Sequence, residues 1–187
     1  MQFLTNQSGE GIFTLMDCFK SLNRLIDEDY YPSCYEFMMH ELARSDYPIR
    51  DFLNDKNMVE DFRKRIYLPG MQESLMKKMI KTHSKKFKML EVTREEDQNN
   101  KIDLKIVPIG SNDNNFIIIQ IKGKMPSQTV VTRENKKQLS AYGKTAAYVI
   151  VGFRPENPKR PWFEYRTRTY NLEELDIMLE QIWKDKS

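Results

Sequence analysis

Three polar side chains, two of them charged, interrupt two apolar stretches of this 187-residue chain. Residues 115–124 read N-F-I-I-I-Q-I-K-G-K, and residues 101–107, just before them, read K-I-D-L-K-I-V. Ile117, Ile118, Ile119 and Ile121 have the composition of a buried strand. Gln120 and Lys122 stand two residues apart in that run, so on a strand they point to one face. Polar groups set into an apolar strand cost free energy unless they are used. Residues 101–109 predict a second strand carrying Asp103, and the loop 110–115 (G-S-N-D-N-N) is dense enough in turn formers to join the two as a hairpin. Asp103, Gln120 and Lys122 then converge on one sheet edge, oxygen atoms suited to a cation beside an ammonium suited to an anion.

An Asp on one strand followed by Gln-x-Lys on the next resembles the PD-(D/E)XK nuclease superfamily, in its variant with Gln in place of the second acid. Gln138-Leu-Ser-Ala-Tyr142 further on looks like the Q-x-x-x-Y helix motif of RecB-type members. Glu73, upstream on an expected helix, stands about where many relatives keep a first acid. The resemblance spans residues 70–153 and implies a restriction-endonuclease-like core, an α/β fold with a mixed central sheet flanked by helices. It also implies an enzyme dependent on Mg²⁺ or Mn²⁺ that hydrolyses phosphodiester bonds. Asp103 would supply a bridging carboxylate, Gln120 a neutral amide oxygen and Ile121 its carbonyl as metal ligands, with Glu73 as a further acid. Lys122 would orient the attacking water and stabilise charge gathering on phosphorus. Asp97 is a reserve ligand by the same resemblance, or else part of a solvated acidic turn. Gln138 would touch a phosphate or support Lys122, with Tyr142 packed beneath the site.

Composition sets the bounds. A chain of this length, 40% hydrophobic and 30% charged, supports one globular domain with a small appendage. No apolar run approaches bilayer length, and the first ten residues lack the pattern of a secretory signal. Cys18, Cys34, His40 and His83 are the only cysteines and histidines, which argues against a structural zinc site. The expected location is reducing and cytoplasmic, or associated with nucleoid or nucleus. Charge is uneven: residues 1–60 hold 5 basic and 11 acidic side chains, and residues 61–88 hold 9 and 2. Residues 89–121 hold 3 and 6, and residues 122–187 hold 13 and 8. Two basic regions thus flank an acidic middle, as phosphate attraction around a metal site requires, although lysine-rich surface helices give the same count. Lys77, Lys78, Lys81, Lys124, Arg133, Lys137, Arg166 and Arg168 are the expected nucleic-acid contacts.

The elements that must position these residues can be read in chain order. Ile12, Leu15, Met16, Phe19, Leu22 and Ile26 recur at helical spacing within residues 9–45, and Pro32 suits the first turn of a second helix. Tyr47-Pro48 breaks it, and residues 49–53 and 58–67 read as short helices. This region, residues 1–69, is expected to be a helical extension, a cap or a surface for a homodimer or protein partner. His40 has two readings, a core-edge residue or a metal ligand of the kind some viral cap-snatching endonucleases use. Leu68-Pro69-Gly70 is expected to end an element, opening the core at residues 70–187. A helix over 71–83 would carry Glu73 in its first turn, where dipole complementarity is the plain alternative to metal binding. A strand follows over 87–93, then a loop over 125–132, a helix over 133–144 with Gln138 exposed, and a buried strand over 146–153 parallel to the Gln120 strand. Residues 154–161 read as a proline-rich loop and 162–170 as one aromatic and basic strand. Asn171 caps a last amphipathic helix, giving four or five strands in all. The functions left open are a metal-dependent nuclease with DNA favoured over RNA and no membrane partner, a nucleic-acid-binding scaffold with weak or no catalysis, and an RNA endonuclease of the viral cap-snatching type.

Overall fold

The computed structural model of the protein describes residues 3–5, 11–45 and 47–186. The chain divides into two units, Met1–Ser74 and Leu75–Ser187. In the first, strands β1 (Phe3–Thr5) and β2 (Gly11–Thr14) pair antiparallel. A strand at Ile12 departs from the helix expected there; the start of that stretch, residues 9 and 10, lies outside the described residues. The physical reason is Thr14, whose hydroxyl accepts from the Asp17 N–H at 3.1 Å and so starts α1 (Leu15–Asp27) after the strand. Ser33 and Glu36 form a capping box that opens α2 (Cys34–Ala43), leaving Pro32 ahead of the helix rather than in its first turn. Helices α3 (Ile49–Asn54) and α4 (Lys56–Phe62) follow the break at Pro48 as expected. Phe37, Phe52 and Phe62 are fully buried, with ring centroids 5.9 Å apart for Phe37–Phe62 and 6.3 Å for Phe52–Phe62. Each such ring contributes about 2–3 kcal/mol by burial. Cys18 and Cys34 are unpaired, and burial above all pushes Cys34 up to about 11 and Cys18 higher still, so neither is a reactive thiolate.

Leu68-Pro69-Gly70 does not end an element. A π-helical turn (Arg63–Tyr67) runs directly into α5 (Leu68–His83), within which the boundary between the units falls. The wider turn ahead of Pro69 accommodates a residue that lacks an N–H. Gly70 is glycine because a Cβ there would stand 3.0 Å from Leu22 and 3.2 Å from Phe19. Met71, Leu75, Met79 and Ile80 are buried, as their spacing predicts.

The second unit is α/β, built on a six-stranded mixed sheet in the order β3-β4-β5-β6-β7-β8, one or two strands more than expected. Strand β3 (Phe87–Leu90) leads to α6 (Arg94–Asn100), a helix where an acidic turn is expected, because Thr93 and Glu96 form a capping box. Strand β4 (Leu104–Pro108) and β5 (Ile117–Lys122) pair antiparallel as the predicted hairpin. Helix α7 (Gln128–Tyr142) starts five residues earlier than the spacing suggests, and β6 (Ala146–Arg154) lies parallel to β5 as expected. The proline-rich segment is not a loop but part of β7 (Asn157–Tyr165). Its ladder with β6 is interrupted between Gly152↔Trp162 and Arg154↔Asn157, and Pro158 and Pro161 fall in that interruption, where no N–H is required. Arg166, in a left-handed conformation, turns the chain into β8 (Arg168–Tyr170), so the aromatic and basic stretch is a hairpin rather than one strand. After a 3₁₀ turn capped by Asn171, α8 (Leu175–Lys186) buries Leu175, Met178, Leu179 and Ile182.

The register sorts the sheet into two faces. Ile106, Ile117, Ile119, Val149, Phe163 and Tyr165 share one, which α8 covers through Trp183 on Phe87 and Asp185 on Tyr165. Ile118, Ala146 and Tyr148 share the other with Gln120 and Lys122, and α7 covers it through Val131 and Tyr142. Among the described residues no helix is long and apolar enough to cross a membrane.

Candidate functional site

Asp103 lies one residue before β4, whose first residue, Leu104, faces Ile119. The Asp103 carboxylate therefore takes the next place along the ladder, and its Oδ2 accepts from the Ile121 N–H at 2.6 Å. This fixes the acid against the end of β5. The N–H and C=O of one strand residue share an edge, so the Ile121 carbonyl faces the edge that Asp103 occupies.

Gln120 is fully buried, and its Oε1 accepts from Lys122 Nζ at 2.7 Å, as two side chains on one strand face can. Its Nε2 is buried without a hydrogen-bond partner among the described residues. Such an orphan donor costs about 1–3 kcal/mol. Next to Gln120, on β6, stands Tyr148, its register partner. The Tyr148 hydroxyl donates to Glu134 Oε2 of α7 at 3.3 Å. Burial first, then the Glu134 and Asp103 carboxylates, push that phenol well above the ordinary tyrosine range, so it stays a donor.

The Q-x-x-x-Y residues have a structural task. Gln138 is fully buried, not exposed towards a groove, and its Nε2 donates to the Asn100 and Lys101 carbonyls at 3.3 and 3.4 Å. Tyr142 accepts from Asn100 Nδ2 at 3.2 Å and sets its ring edge-on to Phe116, 6.0 Å between centroids. Both residues clasp the end of α6, where Lys101 takes a left-handed conformation, and so hold the segment from which Asp103 projects. Beneath them Glu96, not Asp97, turns inward and meets Lys105 Nζ at 2.9 Å, with both side chains largely buried. Burial pushes the Glu96 carboxyl up, but Lys105 and the Thr93 N–H more than offset it, and the group titrates below the usual carboxylate range. Asp97 is exposed on α6.

Other expected site residues lie elsewhere. Glu73 belongs to the first unit and is half-buried; α5 has no acid in its first turn, so dipole complementarity does not account for it. His40, also in the first unit, meets Glu41 Oε1 at 2.9 Å in a network that includes Arg44 and the Cys18 thiol. Lys78 is buried, which removes it from the set of phosphate contacts, whereas Lys77 is half-buried and Lys81, Lys124, Arg133 and Lys137 are exposed. Arg166 pairs with Asp185 at 3.1 Å and Arg168 with Glu174 at 3.2 Å, so both charges are partly neutralised. The residues brought together are thus Asp103, Gln120, Ile121 and Lys122, joined by Glu134 and Tyr148. Glu134 has a signal in the sequence: Glu134, Gln138 and Tyr142 recur every four residues, a polar stripe on one helix face.

Among the described residues no three His, Cys, Asp or Glu side chains are grouped to hold a metal ion. The donors beside Asp103 are an amide and a carbonyl oxygen, a mixed set of the hard kind Mg²⁺ and Mn²⁺ accept. An amide oxygen has two lone pairs, so Gln120 Oε1 can hold Lys122 and still offer one to a cation. No protein-family model, curated protein or solved structure matches the chain.

Proposed function

We propose that the protein is a metal-dependent nuclease that hydrolyses phosphodiester bonds in nucleic acid, DNA in the first place, with Mg²⁺ or Mn²⁺ as its cofactor. The observation that carries this reading is the Asp103 carboxylate docked on Ile121 N–H beside the Gln120–Lys122 pair. Asp103, Gln120 Oε1 and the Ile121 carbonyl would hold the cation, which supplies Lewis acidity towards a phosphoryl oxygen when bound. Lys122, held by Gln120, presents an ammonium where charge gathers on phosphorus. Tyr148 keeps its proton and orients Glu134. Gln138 and Tyr142 keep Asp103 in place.

A second reading has the same surface bind nucleic acid without cutting it. It is favoured by one observation: a neutral Gln120, buried and already bonded to Lys122, occupies the place where the resemblance commonly has an acid. Cleavage of single-stranded, double-stranded and branched substrates with Mn²⁺ separates the two. In the nuclease, Asp103→Ala and Lys122→Ala each lower the rate by about 100-fold or more, and Gln120→Glu keeps or raises it. In the binding protein no substrate is cut, and Gln120→Glu weakens nucleic-acid affinity. Normal cutting by both alanine variants at saturating Mn²⁺ contradicts the site.

A further inference from the structure

We propose that Glu134, on α7, supplies the second carboxylate to the cation site of Asp103, the acid that position 120 of the strand lacks. This rests on the metal-dependent reading above. Three observations place Glu134 there. Gln120 and Tyr148 are register partners on one sheet face, and the Tyr148 hydroxyl reaches Glu134 Oε2 at 3.3 Å, so Glu134 hangs over that face from the helix above. Glu134 is 8% exposed, and among the described residues the neutral Tyr148 hydroxyl is its one hydrogen-bond partner and no Lys or Arg pairs with it. A buried carboxylate has about four acceptor sites and is costly to leave with one neutral donor, a deficit that a cation removes. Gln120, on the same face, is fully buried and keeps Nε2 without a partner among the described residues, a donor that no cation satisfies but that a carboxylate oxygen or a cation-bound water beside it would.

Position on the helix agrees. Glu134, Gln138 and Tyr142 face the sheet on successive turns, and the latter two are occupied by the end of α6. Glu134 is the member of the stripe nearest the start of α7. That start lies just beyond the carboxyl end of β5, the end at which open sheets hold ligands. A carboxylate delivered from the helix offsets the neutral ligand on the strand, and the cation gains two acids, Asp103 and Glu134, with two neutral oxygens.

The test is Mn²⁺ binding by calorimetry on the full chain, with folding followed by circular dichroism. Glu134→Gln is expected to weaken Mn²⁺ by about tenfold or more while keeping the native spectrum. Tyr148→Phe, which removes the orienting hydrogen bond but keeps the acid, should lose less Mn²⁺ affinity than Glu134→Gln. The double variant Gln120→Glu with Glu134→Gln returns the acid to the strand and should regain most of the lost affinity. Unchanged affinity in Glu134→Gln overturns the inference and leaves the nuclease reading standing. Lost affinity without recovery in the double variant makes Glu134 a support for Tyr148 and also overturns it. A wild-type chain that binds no Mn²⁺ overturns both.

Discussion

The two faces of the six-stranded sheet are built to different rules. The face under α8 is apolar throughout its centre: Ile117, Ile119, Val149, Val151 and Phe163 of the sheet and Leu175, Met178, Leu179 and Ile182 of α8 are all buried. The face under α7 buries Gln120, Tyr148, Glu134 and Gln138 among a few aliphatic residues and leaves two amide atoms without partners among the described residues. An apolar face is stable because each side chain adds burial and asks nothing of its neighbours. A polar face of equal area is stable only if every group finds a partner, and here some do not. The lesson is a division of labour. One side of β5 holds the fold together, and the other gives up stability by burying polar side chains.

That division can be broken most strongly from the apolar side. Phe163→Ala removes a fully buried ring and is expected to cost about 3–5 kcal/mol in urea unfolding. A loss under about 1 kcal/mol would mean that this face is not the stable one. A smaller effect sharpens the comparison from the polar side. Glu96, held below the ordinary carboxylate range by Lys105 and the Thr93 N–H against its own burial, titrates lower in the folded than in the unfolded chain. Its contribution is therefore present above the ordinary glutamate value of about 4.3 and is lost as pH falls through the lower folded value. Glu96→Gln should cost about 1–3 kcal/mol at neutral pH, with the difference from wild type shrinking in acid. A pH-independent difference would show that the Lys105 pairing contributes nothing.

Much of the apolar face was legible in the sequence, because β-branched runs such as Ile117–Ile119 and the Ala146–Val151 segment admit few other placements. The hairpin followed from the turn formers of residues 110–115, the parallel β6 from the strand–helix–strand order, and the shared face of Gln120 and Lys122 from alternation. What was hidden had local causes. Pro158 and Pro161 disguised β7, since their tolerance depends on a ladder interruption that only the paired strands define. The acidic run after Thr93 disguised α6, where a capping box outweighed the solvated turn its charges suggest. Gln138 read as exposed because its partners are main-chain carbonyls, which carry no mark in the sequence. Glu134 shows in the sequence only as a member of the four-residue stripe, because its partner, Tyr148, stands on the next strand.

The nuclease proposed above must hold a divalent cation on the polar face through Asp103. Titration of the protein with Mn²⁺, followed by calorimetry beside Asp103→Ala, tests it most directly. A binding heat in the wild type that disappears in Asp103→Ala, with the variant still folded, is the predicted result. No heat in the wild type, or the same heat in both chains, would contradict it.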